Sequence, residues 1–150
     1  MAFLSGLLSI ALLLWGAGHL FHIPLLQQLP DDARIAAAVM FLLIGTFHLV
    51  KPKKLTYMIR GMLPFPLALV IGTGILEIVL GAGLLFSGTQ YRAGIALVIL
   101  LVAMFPANIR VAVNQLPPPG GLPAKPWYTW SRLLFQPVYI LWILWAIHAI

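Results

Sequence analysis

Five long apolar runs leave this sequence few ways to fold in water. They extend over about Phe3 to Phe21, Ile35 to Val50, Pro66 to Phe86, Ala93 to Val113 and Ser131 to Ile147. A helix that crosses a membrane needs about 17–25 mostly apolar residues, because the hydrocarbon layer is about 30 Å thick and a helix rises about 1.5 Å per residue. The second run reaches that length as 33–50, with Ala33 and the aliphatic stems of Arg34 and Lys51 extending it. Hydrophobic residues make up 62% of the 150 and charged residues 8%, against about 45–50% and about 25% in a soluble domain. Such a chain cannot cover a water-facing surface. The predicted fold is all-α: a single transmembrane domain over residues 1–150, built as a polytopic bundle of five spanning helices at about 3–21, 33–50, 66–86, 93–113 and 131–147. The first run has no Lys/Arg-rich leader and outlasts the apolar core of a typical signal peptide, so it reads as a retained helix. Alternating barrel strands are excluded by the length of the runs and the lack of a two-residue period.

The basic residues between the runs set an orientation. Lys51, Lys53, Lys54, Arg60, Arg110, Lys125 and Arg132 fall on one side, whereas Arg34 and Arg92, with Asp31 and Asp32 in a loop, fall on the other. The positive-inside rule then puts the amino terminus in the cytoplasm and the carboxyl terminus across an inner membrane. Trp127, Tyr128 and Trp130 come to the inner interface and Trp145 near the outer one, where amphipathic rings are favoured. The formal +6 charge is thus a topological signal, and nucleic acid is not an expected partner. No cysteine is present, which excludes disulfides, thiolate metal sites and dithiol chemistry carried by the chain. The segment Leu116 to Pro126, with Pro117-Pro118-Pro119-Gly120-Gly121 and Pro123, cannot be helical and reads as a stiff linker.

Glu77 is the side chain that most needs a reason. It lies near the middle of the third run, where an ionised group costs at least about 2.5–3.5 kcal/mol. At about 100° per residue, Val70, Gly74, Glu77 and Gly81 share one face, and small residues there invite another helix to approach. Either Glu77 makes a structural hydrogen bond to a neighbour, or it serves a substrate, a proton or a ligand. In the fifth run, Tyr128, Arg132, Gln136 and Tyr139 recur at helical spacing on one face. Pro137 frees the carbonyl of Leu133 and Pro106 that of Val102. Asn108 follows Pro106 as a candidate for an interhelical hydrogen bond. Chain topology gathers His48, Asn108, Arg110, Arg132 and Gln136 around the inner mouth of the bundle, with Glu77 deeper and Tyr139 on the matching face. Such donors suit an anionic or carbonyl-bearing headgroup. His19 and His22, spaced i, i+3, have no third ligand fixed by sequence, so no metal site is assigned to them or to His148.

Five segments together resemble the DoxX-like family of small membrane proteins: Gly45-Thr-Phe-His48-Leu-Val-Lys51-Pro52, Leu63-Pro64-Phe65-Pro66, Gly74-Ile-Leu-Glu77-Ile-Val-Leu-Gly81, Phe105-Pro106-Ala107-Asn108 and Ser131-Arg132-Leu133-Leu134-Phe135-Gln136. The resemblance covers about Ile35 to Trp145. It implies a four-helix core to which the first helix is an addition, and it maps the family pattern onto His48, Pro52, Glu77, Pro106, Asn108, Arg132 and Gln136. Arg110 and Tyr139 come from the face argument alone. Some relatives in that family are associated with quinone-linked sulfur oxidation or redox-stress complexes and others are accessory proteins, so the resemblance says more about fold than about activity.

The leading expectation is a small redox-linked membrane subunit, itself at most part of an oxidoreductase, with no built-in cofactor. It would bind a quinone or similar lipophilic molecule through His48, Asn108, Arg110, Arg132, Gln136 and Tyr139, with Glu77 handling protons. The alternative is a noncatalytic accessory or assembly protein whose polar positions hold the bundle together and whose partners are lipid, another membrane protein or a second copy. Gly72 and Gly83, nearly opposite Glu77, would then offer a second packing face. A small transporter ranks third, because one deep carboxylate in five helices supplies few groups for a polar path.

Overall fold

The structure, a computed structural model, describes residues 2–117 and 125–150. Most of the proline–glycine linker, residues 118–124, and the side chain of Tyr128 lie outside the described residues. The remainder is all-α: α1 (Ala2–Leu20), α2 (Leu29–Val50), α3 (Pro66–Gly83), α4 (Gln90–Val113) and α5 (Pro126–Ala146), with short 3-10 turns at Pro24–Leu26, Pro52–Lys54 and Thr56–Met58. Four of these, α1 to α4, are long and apolar enough to cross a membrane. The fifth predicted span is present as a helix of 21 residues, but Arg132, Gln136, Pro137 and its tyrosines lower its hydropathy. Five spans are therefore not shown.

The starts of α2 and α5 differ most from expectation, for local reasons. α2 begins at Leu29 rather than 33, because Pro30 fits the first turn and Asp31 and Asp32 sit where the helix dipole favours acids. The two aspartates are thus not loop residues: Asp32 is fully buried, and Asp31 accepts a 2.9 Å ion pair from Arg34. The other arm of Arg34 donates to the carbonyl of Leu84 at 2.5 Å and ties α2 to the end of α3. α5 begins at Pro126, where a proline at the helix start again costs no hydrogen bond.

α2 is the central helix, in contact with α1, α3 and α5. Its Ala36, Ala37 and Ala38 are buried, with Phe41 beside them, and they join Leu7 of α1, Leu97 of α4 and Ile143 of α5 in one core. Trp142 closes the α2–α5 contact by donating its indole N–H to the carbonyl of Ala33 at 3.0 Å. Around this core, large apolar side chains such as Leu13, Val79, Ile99 and Leu134 point outward and are exposed. An apolar outside around a small-residue inside is the arrangement expected of helices that pack in lipid.

The α2–α3 contact governs the site. Val70, Gly74, Glu77 and Gly81 are the buried residues of α3, the same four that helical phase puts on one face. A Cβ on Gly45 would come within 2.6 Å of the Gly74 carbonyl oxygen, and one on Gly74 within 2.6 Å of His48 Cβ. Only glycine permits that approach. On the opposite side of α3, Gly83 lies against Ala93, whereas Gly72 faces open space. Of the two glycines on that face, only Gly83 is therefore used in packing.

Candidate functional site

Close packing of α2 on α3 brings two polar side chains together inside the bundle. His48, near the end of α2, lies over Gly74, and Glu77 is one turn further along α3. His48 Nδ1 and Glu77 Oε2 are 2.7 Å apart, with the side chains 12% and 3% exposed. The ring N–H is not aligned with that contact, so the pair touches without a well-formed hydrogen bond.

A second polar group joins α4 to α5. Asn108 donates from Nδ2 to Gln136 Oε1 at 2.8 Å, and Arg132 donates from Nη2 to Asn108 Oδ1 at 3.0 Å. Gln136, itself buried, passes the chain on by donating to the carbonyl of Leu101. The released carbonyl was expected at Val102. The Gln136 amide instead reaches the carbonyl one residue before the one that Pro106 frees. Four groups are thereby ordered in a line, and Asn108 is the bridge that fixes both Arg132 and Gln136.

The two polar groups border one cavity of about 490 Å³. Its walls come from every helix: Phe3 of α1, Phe41 and His48 of α2, Thr73 and Glu77 of α3, Met104 and Asn108 of α4, and Arg132, Gln136 and Tyr139 of α5. The rest of the lining is mostly apolar. The size falls within the range of about 300–1,000 Å³ usual for small-molecule sites, and a greasy lining with a few convergent polar groups is their usual chemistry.

Six of the seven residues singled out from sequence, His48, Glu77, Asn108, Arg132, Gln136 and Tyr139, lie on this cavity. Arg110 does not. Its guanidinium donates to the carbonyls of Tyr57 at 3.4 Å and Met58 at 3.0 Å, in the segment joining α2 to α3. It supports the wall from behind rather than facing a ligand. Sequence reasoning missed Phe3, whose ring stands edge-on to Tyr139 at 4.6 Å and to Phe41 at 5.5 Å. It also missed Leu55, Met58, Ile59, Met62 and Leu63, which line the cavity from the α2–α3 connection. The available signal was the repeated apolar residue in a loop otherwise marked by lysines. Of the outer histidines, His19 shares a 2.9 Å hydrogen bond with the carbonyl of Trp15, one turn back on its own helix.

Fold and site together define a small all-helical protein with four helices fit to cross a membrane and a polar-ended cavity between them. Residues 37–147 match the model of a domain of unknown function, DUF8561, and the chain belongs to that family. No curated protein and no solved structure matches it. The family match covers α3 to α5 and most of α2, excludes α1, and carries neither an activity nor a DoxX-like assignment.

Proposed function

We propose that this protein is a small membrane subunit that binds a quinone or similar lipophilic molecule in the central cavity. The observation that carries the reading is the convergence of His48, Glu77, Asn108, Arg132 and Gln136 on one largely apolar cavity. A quinone has carbonyl acceptors at one end and an apolar tail at the other. Arg132 and Asn108 supply donors for the first and the walls suit the second. The touching His48–Glu77 pair supplies two titratable groups beside the head, suited to giving or taking a proton when the ligand changes redox state. The chain has no cysteine, so electrons would pass to the ligand from a partner. The resemblance to DoxX-like proteins, some of them linked to quinone chemistry, points the same way. In this reading α5 is the fifth span, the amino terminus is cytoplasmic and the polar end of the cavity faces the cytoplasmic leaflet of an inner membrane.

The test is extraction of protein purified from its own membranes. Quinone bound in proportion to protein, and quinone-dependent activity of the host membrane that falls with Glu77→Gln, are the expected results. Absence of quinone together with unchanged activity would refute the reading.

One observation favours the accessory-protein alternative. Arg132, Asn108, Gln136 and the Leu101 carbonyl already bond to one another in line, as in a purely structural network. In that case Asn108→Ala would lower stability and partner recovery while no ligand-dependent signal changed.

A further inference from the structure

The cavity has a closed end and an open side. At the basic end of the bundle it is roofed by the α2–α3 connection. Leu55 there is buried, Met58 and Ile59 face the cavity, and Arg110 holds the backbone of Tyr57 and Met58 in place from α4. Thr56 is buried as well and donates its hydroxyl to the carbonyl of Lys53 at 3.0 Å. An apolar layer thus separates the cavity from Lys51, Lys53 and Lys54, two of which, Lys53 and Lys54, form the last residues of the preceding 3-10 turn.

The cavity's lining is most exposed at four residues. Met62, Leu63, Leu69 and Ala103 are its exposed members, at the end of the roof, in the first turn of α3 and in the middle of α4. Where α3 ends and α4 begins the two helices close tightly: a Cβ on Gly83 would stand 2.9 Å from that of Ala93. The gap therefore opens at the cavity's level, with an entirely apolar rim, onto the same outer surface that carries Ile99 and Val102.

We propose that the cavity is loaded sideways from the bilayer, through the gap between the start of α3 and the middle of α4, and that its ligand is an amphiphile whose long tail stays in the lipid. The inference rests on the ligand-binding reading above and adds the route and the tail. A cavity of about 490 Å³ holds a head ring and a few carbons, so the remainder of a long tail lies outside. Lipid is where that remainder costs nothing, since each CH₂ moved from hydrocarbon to water costs about 0.8 kcal/mol. A water-soluble ligand gains nothing from an apolar rim and meets a roof on the other side.

The chain's lack of cysteine allows a direct test. A bimane label is attached to Met104→Cys on one wall of the gap and, separately, to Thr73→Cys on the other, in phosphatidylcholine vesicles. Brominated phosphatidylcholine is expected to quench both labels strongly, and aqueous iodide to leave them unquenched. Quenching by iodide, or by neither agent, in both folded variants would overturn the lateral route. The outcome is separable from the quinone test. A lipid-quenched label with no extracted quinone keeps the route and removes the quinone, whereas an iodide-quenched label with quinone bound removes the route alone.

Discussion

Gly74 and His48 belong to one device. The glycine lets α2 approach until His48 Cβ occupies the space a side chain would need, and that approach carries the imidazole to Glu77. Gly74→Ala is therefore expected to destabilise the protein by about 1–3 kcal/mol, as overpacking does, and to separate His48 from Glu77. Gly72→Ala, on open space of the same helix, should be neutral or stabilising by up to about 1 kcal/mol, the helix propensity gained. Unfolding of the two variants in one detergent distinguishes them. A comparable test applies to Asn108, which bridges Arg132 and Gln136. Asn108→Ala leaves a buried amide short of a partner and is expected to cost about 0.6–2 kcal/mol, the span of interhelical hydrogen bonds in membranes. Equal stability of Gly72→Ala and Gly74→Ala, or of Asn108→Ala and the parent, would show that these contacts do not hold the site.

Among the elements, the roof and the part that α1 takes in the cavity were the least legible in the sequence. Helical phase alone places Val70, Gly74, Glu77 and Gly81 on one buried face, because a 3.6-residue period fixes which residues meet a neighbour. The same period aligns Arg132, Gln136 and Tyr139. It says nothing about a connection made of short turns, so the cavity-lining residues 55–63 and the anchoring task of Arg110 emerge only once α2, α3 and α4 are placed in space. Arg110→Ala is expected to loosen the roof and give aqueous iodide access to the label at Met104→Cys, while brominated lipid still quenches it. An unchanged iodide response would show that the roof holds without Arg110. α1 reads in sequence as an addition to a four-helix core, and the family match leaves it out. Yet its Phe3 meets both Tyr139 and Phe41 across the cavity. Phe3→Ala should weaken ligand retention more than it changes the fold, read as faster loss of extracted ligand during washing.

For the whole molecule, the long apolar runs and the sparse charge make the helical class and its approximate boundaries readable, since membrane length sets helix length. The exceptions have local causes: Pro30 and the two aspartates extend α2 backwards, and α5, which carries Arg132, Gln136 and Pro137, is not among the four helices long and apolar enough to cross a membrane. The orientation proposed from the basic loops is tested with single cysteines. Lys53→Cys is expected to resist a membrane-impermeant maleimide in intact cells, while Thr89→Cys, in the α3–α4 connection, reacts. The reverse pattern would invert the topology. Whether the cavity holds a tailed lipophilic molecule is decided by an electron cryomicroscopy map of the protein in discs of its native lipid. Elongated density is expected from the Glu77, Asn108 and Gln136 end of the cavity out past Ala103 between α3 and α4. A collapsed cavity, or one filled only by ordered water, would contradict the ligand-binding reading.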